Sequence, residues 1–391
     1  MEFEFCALTR LIFGEGKFEK LGEVTAAYGT KALLVTGTGS LEGTGHVQRA
    51  KEMLEAHGVA VTWFRGVTSN PTTGIVDRGA AVGREAGCDV VVALGGGSVM
   101  DAAKAMAIGV THDLPIRRFM IEEEGAPKEA PTERALPVIC ATSTAGTSSE
   151  LTPFAVLTIE DKKQKSAIRS DYIRVKVAIE DPELTYSVSP MQTAATGIDV
   201  LCHALESFVH NAATPVTDLT SQEAIRLVGK YLPRAVANGH DVEARQQMML
   251  ANTFAGYGLA CCGATVMHGL EHPVSAHYPN VAHGAGLAAM LRPWARRMAK
   301  RAPAKLAAVT RLLADKVEDW GTEEAAEKAE EVIGTLLQKV SLDIHLSDVG
   351  VEPEKLAEMA EDACRYMAGA LASTPGDTSC ETLVEMLEEA L

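Results

Sequence analysis

The alternation between residues 31 and 140 constrains this chain more than any other feature of its sequence. Short β-rich runs, KALLVTG, VAVTWF and DVVVALGGG, are separated by the helix-patterned stretches VQRAKEMLEAHG, TTGIVDRGAAVGREAG and SVMDAAKAMAIG. This is a βαβ rhythm. The runs VVVAL (90–94) and LPVICA (136–141) lack polar alternation, as expected of parallel strands covered by helices on both faces. The expected N-terminal fold is therefore an α/β doubly wound parallel sheet, and on such sheets ligands bind beyond the carboxyl ends of the strands. After DPELTYSVSP (181–190) β-branched runs almost disappear and Ala/Leu/Glu-rich helical patterns take over. The expected organisation is an α/β domain over 1–185 and an all-α domain over 186–391. Helix breaks are expected at Pro215, Pro233, Pro273, Pro279 and Pro293.

Composition narrows the function classes. With 391 residues, 47% of them hydrophobic, the chain is long enough for two or three domains with real cores. The net charge of -16 comes largely from residues 301–391, where 20 acidic side chains face 8 basic ones, so a nucleic-acid partner is not expected. No apolar run reaches the ~18 residues of a membrane span, and MEFEFCALTR lacks the apolar core of a signal peptide; the expectation is a cytoplasmic protein with no membrane partner. The eight cysteines form no CxxC pair and are expected to be reduced, mostly buried thiols.

Chemistry concentrates in three places. Leu94-Gly95-Gly96-Gly97-Ser98 follows a strand and opens a helix, where glycines let backbone N–H groups approach a pyrophosphate and the helix N-terminus adds unpaired donors. Ser98 is expected as the N-cap, with Asp101 as the capping-box acid. The spacing is neither GxGxxG nor that of an ATP loop, so a nucleotide is indicated but not which one. A second cluster, Ala141-Thr142-Ser143-Thr144-Ala145-Gly146-Thr147-Ser148-Ser149-Glu150, places six hydroxyls after the next strand. The third is a run of histidines: residues 268–283 hold four of the chain's eleven, His268, His272, His277 and His283. Upstream, Asp199 and His203 are spaced i,i+4 on a helical pattern, which sets a carboxylate and an imidazole on one face. One carboxylate with several imidazoles suits a borderline divalent cation better than calcium or magnesium.

Together these stretches resemble the iron-containing (group III) alcohol dehydrogenase family. The motifs are FGEGKFEKLG, SNPTTG (69–74), GGGSVMDAAK (95–104), TAGTSSELTPFAV (144–156), DPEL (181–184), GIDVLCHALESF (197–208) and HGLEHPVSAHYPNVAHGAGLA (268–288), and they span nearly the whole chain. The resemblance implies the dehydroquinate synthase-like architecture of that family and a dimer or larger homo-oligomer. It implies a metal, Fe(II) or Zn(II), held by Asp199, His203, His268 and His283, with His272 beside it as a proton-relay candidate. It also implies a nicotinamide nucleotide, NADP or NAD, whose pyrophosphate lies on Gly95, Gly96, Gly97 and Ser98, near Asp101. Ser143, Thr144, Thr147 and Thr152 match hydroxyl positions around that cofactor, Asn70 matches the Asn of the NPT motif, and Lys165 matches a lysine near the ribose.

Three departures from the family pattern sharpen the expectations. Where many NAD-dependent members carry Asp after the first strand, this chain has Gly37, followed by Thr38, Gly39 and Ser40. A carboxylate there would bind the ribose and repel a 2′-phosphate; without it, and with Thr38 and Ser40 able to donate to the phosphate, NADP is expected over NAD. The step from His268 to His283 is 15 residues, one more than usual, which makes His277 the alternative ligand. Ser148 stands where the family usually has Gly. The implied reaction is hydride transfer between a small alcohol or aldehyde and NAD(P), with the metal as Lewis acid. Phe254, Leu259, Cys262, Val266 and His277 are expected to line a small, mostly apolar substrate pocket. The rivals are a metal- and nucleotide-using lyase of the dehydroquinate synthase type and, less favoured, a non-catalytic metal-binding protein. The lyase would want basic residues for a phosphorylated substrate, and residues 246–291 contain no Lys or Arg.

Overall fold

The computed structural model describes residues 2–38, 40–120, 127–314, 316 and 319–391. The chain forms two compact units, one of residues 7–144 and 148–188, the other of 1–6, 145–147 and 189–391.

Among the described residues the first unit carries eight strands: β1 (Arg10–Phe13), β2 (Lys31–Gly37), β3 (Ala60–Val67), β4 (Val90–Gly95), β5 (Val138–Thr142), β6 (Phe154–Ile159), β7 (Gln164–Arg169) and β8 (Val177–Glu180). Its helices are α1 (Leu21–Ala26), α2 (Ser40–Gly43), α3 (His46–Ala56), α4 (Thr73–Glu85) and α5 (Gly97–Gly109). Six strands make one parallel sheet in the order β1-β8-β5-β4-β2-β3, while β6 and β7 form a separate antiparallel hairpin. From β2 the chain steps outward to β3 and then returns to β4 on the other side, so the topological switch point lies between β2 and β4.

The unbroken apolar runs have a simple cause. Ala32, Leu34, Val90, Val92 and Leu94 pack into a core with Leu21, Val24 and Leu54 of α1 and α3, whereas Leu33, Val35, Val91 and Ala93 alternate to the opposite face and are buried as well. Helix α5 is buried on nearly every side, which explains its alanines and the absence of a polar stripe. Its N-cap is Gly96, not Ser98, and no side chain caps it. Gly97 already has a helical place, so Ser98 sits inside the first turn and Asp101 is two positions too far along to close a capping box. Asp101 instead accepts a bond from Ser149 Oγ (2.5 Å) and lies 3.4 Å from the fully buried Lys104, whose Nζ donates to the Ser149 carbonyl at 2.9 Å.

The second unit contains α6 (Pro190–Val209), α7 (Pro215–Ala237), α8 (Val242–Cys262), α9 (Val266–His277), α10 (His283–Arg301), α11 (Pro303–Leu313), α12 (Thr322–Glu327), α13 (Ala329–Lys339), α14 (Leu356–Tyr366), α15 (Ala368–Ala372) and α16 (Cys380–Ala390). Its core gathers Ile198, Leu201 and Leu205 of α6 with Val228, Leu270, Trp294 and Leu387. Two expectations fail here. Pro233, Pro273 and Pro293 lie inside α7, α9 and α10 without ending them, because each costs one backbone bond in helices that tertiary packing holds in place. Pro215 and Pro279 mark breaks as expected, Pro215 standing at the start of α7 behind the Thr214 cap and Pro279 in the loop between α9 and α10. The cysteines are not all free either: Cys364 of α14 and Cys380 of α16 form a disulfide, Cys6 is exposed, and Cys88, Cys140 and Cys202 are the buried thiols. None of the helices among the described residues is long and apolar enough to cross a membrane.

Candidate active site

In the sheet unit a cavity opens at the switch point, lined by Thr36, Gly37, Leu41, Glu42, Val47, Gly95, Gly96, Val99 and Ser143. The sequence dictates its shape. A Cβ on Gly95 would come within 2.6 Å of Val99, and one on Gly96 within 2.9 Å of Thr144 Oγ1, so these glycines are required by packing as well as by the space they leave for a ligand. Ser143 closes the end of β5 by donating its N–H to the Gly95 carbonyl (3.0 Å). The cavity thus has the N-terminus of α5 on one side and the ends of β2, β4 and β5 beneath it, the arrangement that takes a pyrophosphate.

Around it the other nucleotide candidates divide. Thr38 follows β2 and is exposed; Ser40 opens α2, and its side chain, like the whole of Gly39, lies outside the described residues. Asn70 adopts a left-handed backbone (φ 50), a conformation Asn tolerates better than most residues, and the next residue's carbonyl accepts a bond from Thr158 N–H at 2.9 Å. Thr158 is also the cross-strand partner of Lys165, so the β6–β7 hairpin brings Lys165 and the Asn70 turn to one neighbourhood. Ser148 is likewise left-handed (φ 51) and buried, which accounts for the Gly usual there: Gly adopts that conformation freely, whereas Ser does so at a cost of roughly 1 kcal/mol. Thr152 is buried beside Ser149, while Thr147 groups with Gly146 in the helical unit rather than with Ser143 and Thr144.

The helical unit brings the histidines together. Asp199 and His203 come from α6, His268 and His272 from α9, and His283 is the first residue of α10. The Nε2 atoms of His203, His268 and His283 lie 3.5, 3.4 and 3.6 Å from Asp199 Oδ1. Asp199, His268 and His283 form the set whose ligand atoms all fall within 4.8 Å of one another, and His203 joins through Asp199 and by stacking on His268 at 4.5 Å. A four-coordinate ion with bonds of about 2.1 Å spaces its ligands roughly 3.4 Å apart, so the donor set fits a divalent cation of this kind. Two of the donors demand one: Asp199 Oδ1 and His268 Nε2 are buried without a hydrogen bond among the described residues. His272 stands one turn beyond His268, its ring 6.3 Å from that of His268 and 6.0 Å from that of His283. His277, the alternative ligand, is committed elsewhere, to Asp362 of α14 at 2.8 Å. Of the residues expected to line the substrate pocket, Val266 and Leu259 are buried, Val266 in the helical core.

Electrostatics follow from the crowding. Burial alone would raise the Asp199 carboxyl, but the imidazoles of His203, His283 and His268 outweigh it and hold the group well below the usual carboxylate range. Burial pushes His203 down to about 4 against the pull of Asp199, keeping it neutral at ordinary pH. His268 is raised because Glu206 and Asp199 together exceed its desolvation.

Glu206 is the functional residue that sequence reasoning passed over. Fully buried on α6, it receives the N–H groups of Thr265 (2.9 Å) and Met267 (3.0 Å) and the Thr265 hydroxyl (2.7 Å) on Oε1, so it caps α9, while its Oε2 meets His268 Nδ1. One carboxylate thereby fixes both the helix and the tautomer that turns Nε2 toward Asp199. His203 has a weaker counterpart, its Nδ1 lying 3.3 Å from the Gly146 carbonyl, and Gly146 N–H is itself held by Asn252 Oδ1 at 2.9 Å. A second acid on the same helix as Asp199, three residues after His203 and within an Ala-Leu-Glu-Ser-Phe stretch, was the available signal.

A phosphate cradle on a doubly wound sheet and an Asp/His metal constellation on helices can be compared with known proteins. Residues 9–182 match the model of iron-containing alcohol dehydrogenases, and residues 193–391 match the C-terminal part of the Fe-containing alcohol dehydrogenase family. Alcohol dehydrogenase 4 of Schizosaccharomyces pombe is 34% identical over 361 residues, covering 92% of this chain and 82% of that protein. The 1,3-propanediol dehydrogenase of Klebsiella pneumoniae is 34% identical over 365 residues, covering 93% and 92%. Among solved structures, an archaeal halo-thermophilic alcohol dehydrogenase from a Red Sea brine pool is 38% identical with a TM-score of 0.95, covering 100% of this chain and 99% of that one. Agreement at this level in both halves shows that the chain belongs to the iron-containing alcohol dehydrogenase family and is an NAD(P)-dependent oxidoreductase of alcohols and aldehydes.

Proposed function

We propose that the protein interconverts a small alcohol and its aldehyde with NADP in preference to NAD, around an Fe(II) or Zn(II) ion held by Asp199, His203, His268 and His283. The observation that carries this reading is the convergence of three imidazole Nε2 atoms on one buried carboxylate oxygen that makes no hydrogen bond among the described residues. Bound there, a divalent ion supplies a Lewis acid that lowers the pKa of an alcohol hydroxyl or polarises a carbonyl.

The chain's own residues do the rest. Asp199 brings the negative charge that a divalent cation needs, and Glu206 holds His268 in the liganding tautomer. Gly95, Gly96, Gly97 and Ser98 cradle the pyrophosphate with backbone donors. Ser143, Thr144, Thr147, Thr152, Asn70 and Lys165 orient the remainder of the nucleotide, with Asp101 fixing Ser149 beneath. His272, buried one turn from His268, takes the proton released as the alcohol is oxidised and returns it in reduction. Gly37, with Thr38 and Ser40 after it, puts no carboxylate at the end of β2, where an Asp would repel a 2′-phosphate, and Glu42, which also lines the cavity, is paired with Arg65 at 2.8 Å. Small substrates are supported by a relative named 1,3-propanediol dehydrogenase and another, from Escherichia coli, named lactaldehyde reductase. The family resemblance further favours a homodimer or larger homo-oligomer working in the cytoplasm.

The test is an anaerobic assay at 340 nm with NADPH and with NADH against short aldehydes, before and after chelation and after adding back Fe(II) or Zn(II). Oxidation that chelation abolishes, that metal restores and that runs faster with NADPH is expected. In parallel, His203→Ala should lose metal and turnover while still binding nucleotide. Full turnover by metal-free His203→Ala protein would sink the reading, and nucleotide binding without net oxidation of either cofactor would favour the lyase.

A further inference from the structure

Glu271 of α9 is a fully buried carboxylate to which the metal and nucleotide readings give no role. An unpaired carboxylate in such a place is strongly destabilising, so its partners define its purpose. Both oxygens are engaged: Oε1 receives the hydroxyl of Ser275, one turn along α9, and Oε2 meets Nδ1 of His283. The facing helix makes room for it. A Cβ on Gly286, one turn into α10, would come 3.2 Å from Glu271 Cγ and 3.4 Å from Oε1, so α10 presents a glycine to the acid.

His283 has special need of an anchor. It follows the 278–282 loop, opens α10 with no side-chain cap at Ala282, and is the most exposed of the histidines around Asp199, at 23% against 6% for His203 and His268. A ring at the end of a loop can rotate, and each rotation that takes Nε2 away from Asp199 removes a ligand atom.

Resting on the metal reading above, we propose that Glu271 is a positioning residue that locks His283 with Nδ1–H toward the acid and Nε2 toward the ion, and so sets how tightly the site holds its metal. The same carboxylate brings the acids in and around the ligand set to three: Asp199, Glu206 and Glu271. His268 and His283 are then held alike, each by a buried glutamate, and the chain compensates in this way for a ligand that arrives on a loop.

The experiment uses full-length protein stripped of metal, with Zn(II) affinity measured by competition against a chromophoric chelator and the visible spectrum recorded on loading Co(II). Glu271→Ala should weaken Zn(II) binding about 10- to 100-fold and alter the Co(II) bands. Glu271→Gln, which keeps shape and an acceptor but not the charge, should fall between it and the parent. Thermal melting of the metal-free proteins and NADPH binding separate this from a merely structural role, which would lower the melting temperature and leave Zn(II) affinity alone. Should Glu271→Ala not fold, the near-isosteric Glu271→Gln decides. Zn(II) affinity within twofold of the parent in the folded variants overturns the proposal while leaving the metal reading intact. A parent protein that binds neither Zn(II) nor Co(II) overturns the metal reading and the proposal with it.

Discussion

Gly284→Ala tests whether helix packing places the ligands. Gly284 directly follows His283, and a Cβ on it would lie 1.9 Å from the Ala195 carbonyl oxygen, 2.5 Å from its carbon and 2.9 Å from Ala195 Cα. All three are backbone atoms of α6, four residues before Asp199, so no side chain can swing aside. Contacts under 3.0 Å are not sustained, and the start of α10 must therefore retreat from α6 by about 1 Å. Overpacking of this kind costs about 1–3 kcal/mol of stability. The functional cost is larger in proportion, because His283 Nε2 sits 3.6 Å from Asp199 Oδ1 and metal–ligand distances tolerate only about 0.2 Å of error. A displacement near 1 Å is on the order of a hundredfold in turnover. The expected outcome is folded protein, shown by circular dichroism, that binds NADPH normally yet retains substoichiometric zinc and loses about a hundredfold in kcat with a short aldehyde. Zinc content and kcat both equal to the parent's would refute the reasoning.

Gly37→Asp restores a carboxylate after β2, where a Cβ has room at 3.5 Å from the Val67 carbonyl, and should lower the kcat/KM ratio of NADPH to NADH by at least about tenfold; an unchanged ratio would remove Gly37 from cofactor choice. Asn252→Ala leaves the buried Gly146 N–H without its acceptor, which should cost about 1–3 kcal/mol in urea unfolding and, through the Gly146 carbonyl beside His203, weaken zinc retention; a variant as stable as the parent would contradict this. Asp89 gives a pH test. Burial raises its carboxyl, but the N–H groups of Thr30 and Lys31 and the Thr30 hydroxyl outweigh this and hold it low. Its stabilisation is therefore present above the unfolded carboxylate range and lost as pH falls through the lower folded value. Asp89→Asn should be less stable than the parent by about 1 kcal/mol at pH 6, with the gap closing toward pH 2, and a gap independent of pH would exclude the mechanism.

The parts of the molecule that were legible in its sequence are those governed by local rules. Continuous burial wrote itself into VVVAL, and the Asp199–His203 spacing announced a shared helix face because both side chains belong to one turn. The choice between His283 and His277 was beyond spacing. It depends on Asp362, 85 residues from His277, which takes that imidazole for an ion pair of its own. Similarly, nothing local tells that residues 145–147 join the helices while 144 and 148 stay with the sheet; the acceptor for Gly146 N–H lies 106 residues away on α8. The Cys364–Cys380 link belongs to the same class, a pairing of two helices that no motif records. Proline was misleading for a related reason: its local cost is fixed, but the packing that offsets it at Pro273 is supplied by other helices.

The donor histidines also explain why ligand motifs alone understate such a site. Imidazole can offer either nitrogen, and a helix position fixes only where the ring begins. What turns each Nε2 inward is a group bound to Nδ1: Glu206 for His268, the Gly146 carbonyl for His203 and Glu271 for His283. Glu206 sits three residues from a ligand on the same helix, whereas Gly146 belongs to a three-residue excursion of the chain and Glu271 to the helix before the one it serves. The atoms proposed to face the metal thus come from Asp199 and three histidines, but the groups that orient those rings are drawn from different parts of the chain. Substitution of Glu271, which serves one hydroxyl and one ring, should therefore lower metal affinity before it lowers the stability of the fold, whereas substitution of Glu206, which also caps α9, should lower both.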